Sequence, residues 1–320
     1  MRLATTRALE RRRVYVKSSL ALFPGQGSQF VGMGKDLLQE FPYTRALFEE
    51  AEDKIHLSLR KLCFDGPAEE LGLTANLQPA LLTVSMATWQ VLTNESDYNP
   101  CLFAGHSLGE YSALVASRKL PFAQAVHLVH LRGQAMQNAV PAGLGKMAAV
   151  LRYNPEALIA ECLAQTKLGL GVVEVVNFNS PEQHIISGHK DAVEALCKTL
   201  KEKRVLSKML PVSAPFHSSL MSPAKEFMKQ HLSSVHLKDS DKDVIANLTG
   251  DVPKPYTLLH LLEQIDHPVF WEQSMCFALK ERHIEHCLEI GPGKVLMGIG
   301  QKCFGDAVVC ENTMDLKSIL

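Results

Sequence analysis

The stretch Gly105-His106-Ser107-Leu108-Gly109 limits what this chain can fold into more than any other. It stands between an apolar run, 101–104, and a helical periodicity from Leu108 through Tyr111, Leu114 and Val115. A strand that ends in a sharp bend at a serine and continues as a helix needs glycine on both sides, so that strand and helix pack closely. The serine hydroxyl then projects at the helix N-terminus beside free backbone N–H groups. This geometry makes a nucleophile next to half an oxyanion hole. Three fixed positions in five also describe an ordinary glycine-rich turn with a capping serine, so catalysis has to be argued from chemistry elsewhere in the chain.

At 320 residues the chain suffices for one large domain or two unequal ones. Lysine plus arginine (33) nearly balances aspartate plus glutamate (34), and the net charge of -1 supplies no global field toward nucleic acid or a membrane surface. Eight cysteines occur without a C-x-x-C pair, and Cys162 and Cys197 fall in helical patterns as small apolar residues would, which favours a reducing compartment. No apolar run is long enough to span a bilayer. Residues 1–13 hold five arginines and one acid; we read 1–15 as a flexible start rather than an organellar presequence.

Residues 19–23 read as a strand, followed by the glycine-rich loop Pro24-Gly25-Gln26-Gly27-Ser28-Gln29. The loop lacks the lysine and hydroxyl of a nucleotide-binding P-loop, and it suits backbone N–H groups facing a reacting carbonyl. The segment 44–55 is amphipathic, and 79–92 reads as a buried helix opened by Pro79, with Gln78 as a cap or turn residue. A helix over 122–137 carries Arg132 in an apolar neighbourhood, where it needs either a structural carboxylate or an anionic substrate. His127 with His130, and His283 and His286 with Cys287, lack the further ligands that a metal requires, so no metal site is expected.

From 143 to 210 the pattern is β-α-β-β-α-β, the ferredoxin-like unit. The stiff loop Pro211 to Ser218 that follows presents His217. A strand at 244–247, helices over 257–264 and 271–282, a strand at 286–290 and Gly291-Pro292-Gly293 complete the pattern. The expected fold is α/β, with a large hydrolase-like domain of mainly parallel sheet (16–142 and 211–320) and a smaller inserted ferredoxin-like α+β domain (143–210).

Taken together, Gly25-Gln26-Gly27-Ser28-Gln29, Gly105 to Glu110, Leu131-Arg132-Gly133, Asn177-Phe178-Asn179-Ser180-Pro181, Pro211 to His217 and Glu289-Ile290-Gly291-Pro292-Gly293 resemble the malonyl-CoA:acyl carrier protein transacylases, closest to the free-standing bacterial type. The resemblance implies acylation of Ser107 by malonyl-CoA, then transfer to the phosphopantetheine thiol of acyl carrier protein for fatty-acid synthesis. It implies His217 as base and acid, the backbone N–H groups of Gln26 and Leu108 as oxyanion hole, Arg132 on the malonyl carboxylate, and Gln78 near the substrate. A backbone carbonyl from His267-Pro268-Val269-Phe270-Trp271 would orient the imidazole, and Phe216 is similar to the malonyl-selective pattern of polyketide acyltransferases. No bound cofactor or metal is implied, since the phosphopantetheine belongs to the partner. A monomer in the bacterial cytoplasm is expected, with Lys201, Lys203, Arg204 and Lys208 as candidates for docking an acidic carrier. A trans-acting polyketide acyltransferase and a serine hydrolase are the alternatives.

Overall fold

The computed structural model describes residues 18–212 and 214–320; the expected flexible start at 1–15 and Ser213 lie outside the described residues. In chain order the strands are β1 (Ser19–Phe23), β2 (Leu102–Gly105), β3 (Gly145–Leu151), β4 (Val173–Ser180), β5 (Gln183–His189), β6 (Leu206–Met209), β7 (Asp243–Val244), β8 (His286–Glu289) and β9 (Val309–Asn312). They form two sheets. One has the order β7-β2-β1-β8-β9 with every pairing parallel, and the other has the order β4-β5-β3-β6 with every pairing antiparallel. The parallel sheet is buried on both faces, which is why its strands read as continuous apolar runs. Ala21, Phe23 and Phe103 pack into one core, and Leu20, Leu22, Leu102, Ala104 and Cys287 into another.

The helices that position the site are α1 (Thr74–Glu95), α2 (Gly109–Ala116), α3 (Phe122–Asn138), α4 (Pro155–Lys167), α5 (Lys190–Glu202), α6 (Leu258–Glu263), α7 (Trp271–Lys280) and α8 (Val295–Phe304). Helices α4 and α5 pack on the antiparallel sheet around a separate core of Val150, Leu158, Val175, Ile186, Val193 and Leu196, in the ferredoxin-like strand order. The two sheets are stitched together outside that core. Val269 N–H donates to Val176 O (2.9 Å), and Phe178 N–H donates to Val269 O (3.0 Å), so the segment before α7 runs as a parallel bridge along β4. Phe270 stacks on Phe178 beside it, with ring centroids 5.5 Å apart.

Three sequence expectations need correction. Helix α1 does not begin at Pro79 but at Thr74, five residues earlier, and Pro79 lies inside it. A proline there removes the N–H that would bond the Ala75 carbonyl. His130 Nδ1 donates to that carbonyl instead, at 3.0 Å, so the helix continues through the proline. Gln78 is therefore a buried helical residue, not a cap. The strand expected at 244–247 stops at Val244, because Asn247 N–H turns away to a side chain, Glu110 Oε2 at 3.2 Å. Edge strand β9 was not expected at all.

Candidate active site

The elbow forms because its glycines admit nothing larger. A Cβ on Gly105 would lie 1.9 Å from Gly109 backbone atoms, and one on Gly109 would lie 2.0 Å from the Phe23 carbonyl oxygen. Strand β2, helix α2 and strand β1 thus meet at backbone distance. Ser107 takes φ 53°, a left-handed conformation that a non-glycine residue adopts only when its surroundings hold it there. Asn247 does the holding: its Oδ1 accepts from Ser107 N–H at 2.6 Å, and its Nδ2 donates to Gly105 O at 2.8 Å.

His217 arrives from the loop after β6 and is also left-handed, with φ 62°. Its Nε2 lies 2.7 Å from Ser107 Oγ, and its Nδ1 lies 2.8 Å from the Gln264 carbonyl. Because Nδ1–H donates to a carbonyl, Nε2 carries the free lone pair and accepts the serine hydroxyl proton. Burial, with the positive charge of Arg132 second, lowers the imidazole from the usual histidine value to about 3. It is thus neutral and able to act as a base at physiological pH. The expected stretch 267–271 takes part through the His267 backbone, which also hydrogen-bonds the imidazole, while the acceptor at 2.8 Å is the Gln264 carbonyl just after α6, which sequence reasoning did not single out. Further along the stretch, Val269 bonds to β4 and Phe270 N–H donates to the Asn247 carbonyl.

Arg132 on α3 is 1 % exposed. Its Nη1 donates to Gln78 Oε1 (2.9 Å), and its Nη2 donates to Gln264 Oε1 (2.8 Å) and to Ser107 Oγ (3.2 Å). Among the described residues its Nε has no hydrogen-bond acceptor. The immediate acceptors of this buried cation are neutral amides and a hydroxyl, and among the described residues no carboxylate pairs with it directly. A buried guanidinium held this way is open to an anionic ligand, since neutral acceptors compensate its charge less than a carboxylate does.

Ser107, His217, Arg132, Gln78, Leu108 and Gln26 all line one cavity of about 110 Å³, together with Met136, Met147 and Phe216. The structure therefore brings together all six residues singled out in the sequence. The N–H groups of Gln26 and Leu108 make no hydrogen bond among the described residues, whereas Ser107 N–H is engaged by Asn247. The loop that carries Gln26 is held against the elbow, where a Cβ on Gly25 would lie 2.5 Å from the His106 carbonyl oxygen. Behind the cavity, His106 Nε2 meets Asn179 Oδ1 at 2.9 Å, and Asn179 Nδ2 donates to Gln183 Oε1 at 3.0 Å. Gln183 and Ser180 border a larger cleft of about 780 Å³, whose rim carries Arg152, Arg204 and Lys302.

Sequence reasoning missed Gln264, Asn247 and Glu110. Glu110 is fully buried and accepts from Gln264 Nε2, Asn247 N–H and the Tyr256 hydroxyl. Burial raises its carboxyl to about 7 against the pull of those three donors and of Arg132. Only the position of Glu110 in the first turn of α2 was visible beforehand, and it would read as a favourable partner of the helix dipole. Lys203, expected to be free for docking, is paired with Glu161 of α4.

Residues 21–274 match the model of the acyl transferase domain. The chain is similar to the malonyl CoA-acyl carrier protein transacylase of Bacillus subtilis (strain 168), 46% identical over 286 residues, which cover 88% of this chain and 89% of that protein. Among solved structures it is similar to an acyl carrier protein S-malonyltransferase from Vibrio cholerae (37% identity, TM-score 0.88, 95% of this chain and 100% of that one). It is also similar to a malonyl-transacylase solved in complex with a type II PKS acyl-carrier protein (36% identity, TM-score 0.86, 93% and 95%).

Proposed function

The chain belongs to the acyl transferase family, and from that premise we propose that it moves a malonyl group from malonyl-CoA to the phosphopantetheine thiol of an acyl carrier protein through a malonyl-Ser107 intermediate. The observation that carries the reading is the placement of one buried guanidinium against the nucleophile. Arg132 Nη2 lies 3.2 Å from Ser107 Oγ, so an acyl group on that oxygen with a terminal carboxylate is within reach of the cation.

In the first half-reaction His217 Nε2 takes the Ser107 hydroxyl proton as Oγ attacks the thioester carbonyl. The negative charge that develops on the carbonyl oxygen is met by the N–H groups of Gln26 and Leu108, which are unspent in the free enzyme. Collapse breaks the C–S bond, and His217 returns the proton to the leaving coenzyme A thiolate. The second half-reaction runs the same steps in reverse, with the carrier thiol giving its proton to His217 and attacking the acyl-serine carbonyl. Arg132 holds the acyl carboxylate throughout. The chain's own residues, the malonyl thioester and the carrier thiol supply every group these steps need.

The carrier is read as that of fatty-acid synthesis. A polyketide carrier is the second reading, favoured by the likeness to the malonyl-transacylase solved with its type II PKS partner. Arg152 and Arg204 on the larger cleft, where Lys302 is paired with Glu182, together with Lys201 and Lys208 nearby in sequence, suit an acidic carrier. Among the described residues no helix is long and apolar enough to cross a membrane, and all eight cysteines are free thiols. The free thiols suit a reducing compartment, and we read the enzyme as cytoplasmic.

The test is intact-mass measurement after incubation with malonyl-CoA or acetyl-CoA, followed by addition of each class of holo carrier protein. A malonyl adduct that forms in preference to acetyl and is discharged by the carrier thiol is the expected result. Discharge to water at the same rate without a carrier would make the protein a hydrolase.

A further inference from the structure

We propose that Glu110 is a positioning residue for acyl selection: as a buried acceptor it fixes which way the Gln264 amide faces, and so aims Arg132 at the acyl carboxylate. The inference rests on the malonyl-transfer reading and assigns a role to a group that the reaction steps leave unused.

The side chain of Gln264 lies between the Glu110 carboxyl and the Arg132 guanidinium. Its Nε2 donates to Glu110 Oε2 and to the Ser107 carbonyl (3.0 Å), while its Oε1 accepts from Arg132 Nη2 at 2.8 Å. Both ends of the amide are buried, Gln264 being 0 % exposed. A primary amide can sit in such a slot in two ways, and its oxygen and nitrogen differ only in what they offer. With Glu110 accepting, the NH2 group must face it, and the oxygen is left to Arg132. Without Glu110 only the Ser107 carbonyl would hold the NH2 group on that side, and whenever the amide flipped it would set NH2 against the guanidinium, donor against donor, so that Nη2 lost the bond that fixes its direction.

The same residue reaches the catalytic base, because the backbone carbonyl of Gln264 orients His217 Nδ1. Glu110 has a second branch, through Asn247. Oε2 accepts from Asn247 N–H at 3.2 Å, and the Asn247 side chain holds Ser107 N–H and Gly105 O. The two branches have different consequences. Loosening the Asn247 branch disturbs the elbow and slows acylation by any acyl-CoA. Loosening the Gln264 branch disturbs the cation and slows malonyl more than acetyl. The ratio of the two rates therefore reports on aim, and the absolute rate reports on the elbow. On the remaining side, the hydroxyl of Tyr256 donates to Oε1. A hydroxyl also accepts, so glutamine at position 110 can turn its NH2 toward Tyr256 and keep its oxygen toward Gln264 and Asn247.

The experiment measures single-turnover acylation by malonyl-CoA and acetyl-CoA in wild type, Glu110→Gln, Glu110→Met, Gln264→Met and the double Met variant. Arg132→Ala is the control for the clamp itself, and thermal unfolding reports folding. Glu110→Met should lower the malonyl-to-acetyl ratio by about tenfold or more, the loss of roughly one hydrogen bond to a charged group. Glu110→Gln should keep the ratio within about threefold of wild type, less than the ~0.7 kcal/mol that half a decade represents. The double variant should show nearly the ratio of Gln264→Met, because the hydrogen-bonded path from Glu110 to Arg132 runs through Gln264 and only their through-space attraction acts beside it. If Glu110→Met does not fold, the comparison of Gln264→Met with the double variant decides. An unchanged ratio in Glu110→Met, equal losses in the Gln and Met variants, or multiplying losses in the double variant would overturn the proposal. If wild type itself shows no malonyl preference, or Arg132→Ala retains it, the failure belongs to the malonyl-clamp reading instead.

Discussion

Replacing Arg132 by alanine should convert a malonyl-selective enzyme into one nearly indifferent to the acyl terminus. In the free enzyme Nη1 and Nη2 are bonded to the amide oxygens of Gln78 and Gln264. A malonyl carboxylate has to share or replace those neutral acceptors. Two guanidinium–carboxylate bonds at roughly 1.5–3 kcal/mol each, offset by about 1.5 kcal/mol for each guanidinium–amide bond given up, leave a net advantage of up to about 3 kcal/mol. That corresponds to as much as about two powers of ten in the malonyl-to-acetyl ratio. Acetyl gains nothing from the cation, so its acylation rate should hold or rise. Lysine should restore the ratio only in part, since it keeps the charge without the planar fork. The alanine variant also strands the buried oxygens of Gln78 and Gln264, so thermal unfolding has to be followed alongside. Acylation of Ser107 by each acyl-CoA would be timed by quenching and intact mass. A ratio unchanged from wild type in a folded variant would refute the clamp and make Arg132 a structural residue.

Ser107→Ala should give no acyl adduct at all by mass, and an adduct would show a different nucleophile. His217→Ala should slow acylation by about 10²–10⁴-fold, and near-normal acylation at neutral pH would show another base. With His217 held down at about 3, the acylation rate should not fall at an ordinary histidine midpoint as pH drops below 7. A midpoint near 7 in the pH–rate profile would have to be Glu110 and vanish in Glu110→Gln; one that survives would contradict the assignment. In thermal unfolding the two groups act with opposite signs. The unfolded imidazole takes a proton below about 6.5 while the folded one does not until about 3, so His217 lowers stability as pH falls through that window. The raised carboxyl of Glu110 stabilises the fold fully below 4.5, and that contribution is lost as pH rises toward about 7. Transfer to the carrier should weaken with salt more than acylation by malonyl-CoA does, and equal salt sensitivity would remove the case for a basic docking rim.

The parts of this molecule that were legible in the sequence are those written in neighbouring residues. The elbow, strand β1 and the β-α-β-β-α-β unit each declare themselves through local periodicity and punctuation, and the structure reproduces the order of that unit from β3 to β6. What stayed hidden depends on residues far apart in the chain. Pro79 reads as a helix start because nothing nearby shows that His130 will take over the orphaned Ala75 carbonyl. Strand β9 is four residues long, at the sheet edge and only partly buried, so it lacks both a continuous apolar run and an alternation. Glu110, Asn247 and Gln264 are common polar residues, and no short motif signals that the fold will bury them against one another. Arg132 was visible because a cation on an apolar helix face contradicts its surroundings; the amides that hold it contradict nothing.

The central strand has a consequence for how the enzyme is made. Leu20 of β1 pairs with Leu102 of β2 on one side and with Cys287 of β8 on the other, so the middle of the parallel sheet joins stretches more than 80 and more than 260 residues apart in the chain. Contacts of such sequence separation close late and slowly. The antiparallel unit between β3 and β6 draws its strand pairings from a short, continuous stretch. During synthesis that unit can complete its core while an edge of β1 still waits for β8 and the face formed by Leu20, Leu22, Leu102 and Ala104 waits for Ile245, Val269 and Trp271 to cover it. A nascent chain truncated after β6 should therefore carry a protease-resistant core in the stretch from β3 to β6, with the elbow serine exposed and inert. Reactivity at Ser107 should appear only once β8 has cleared the exit tunnel.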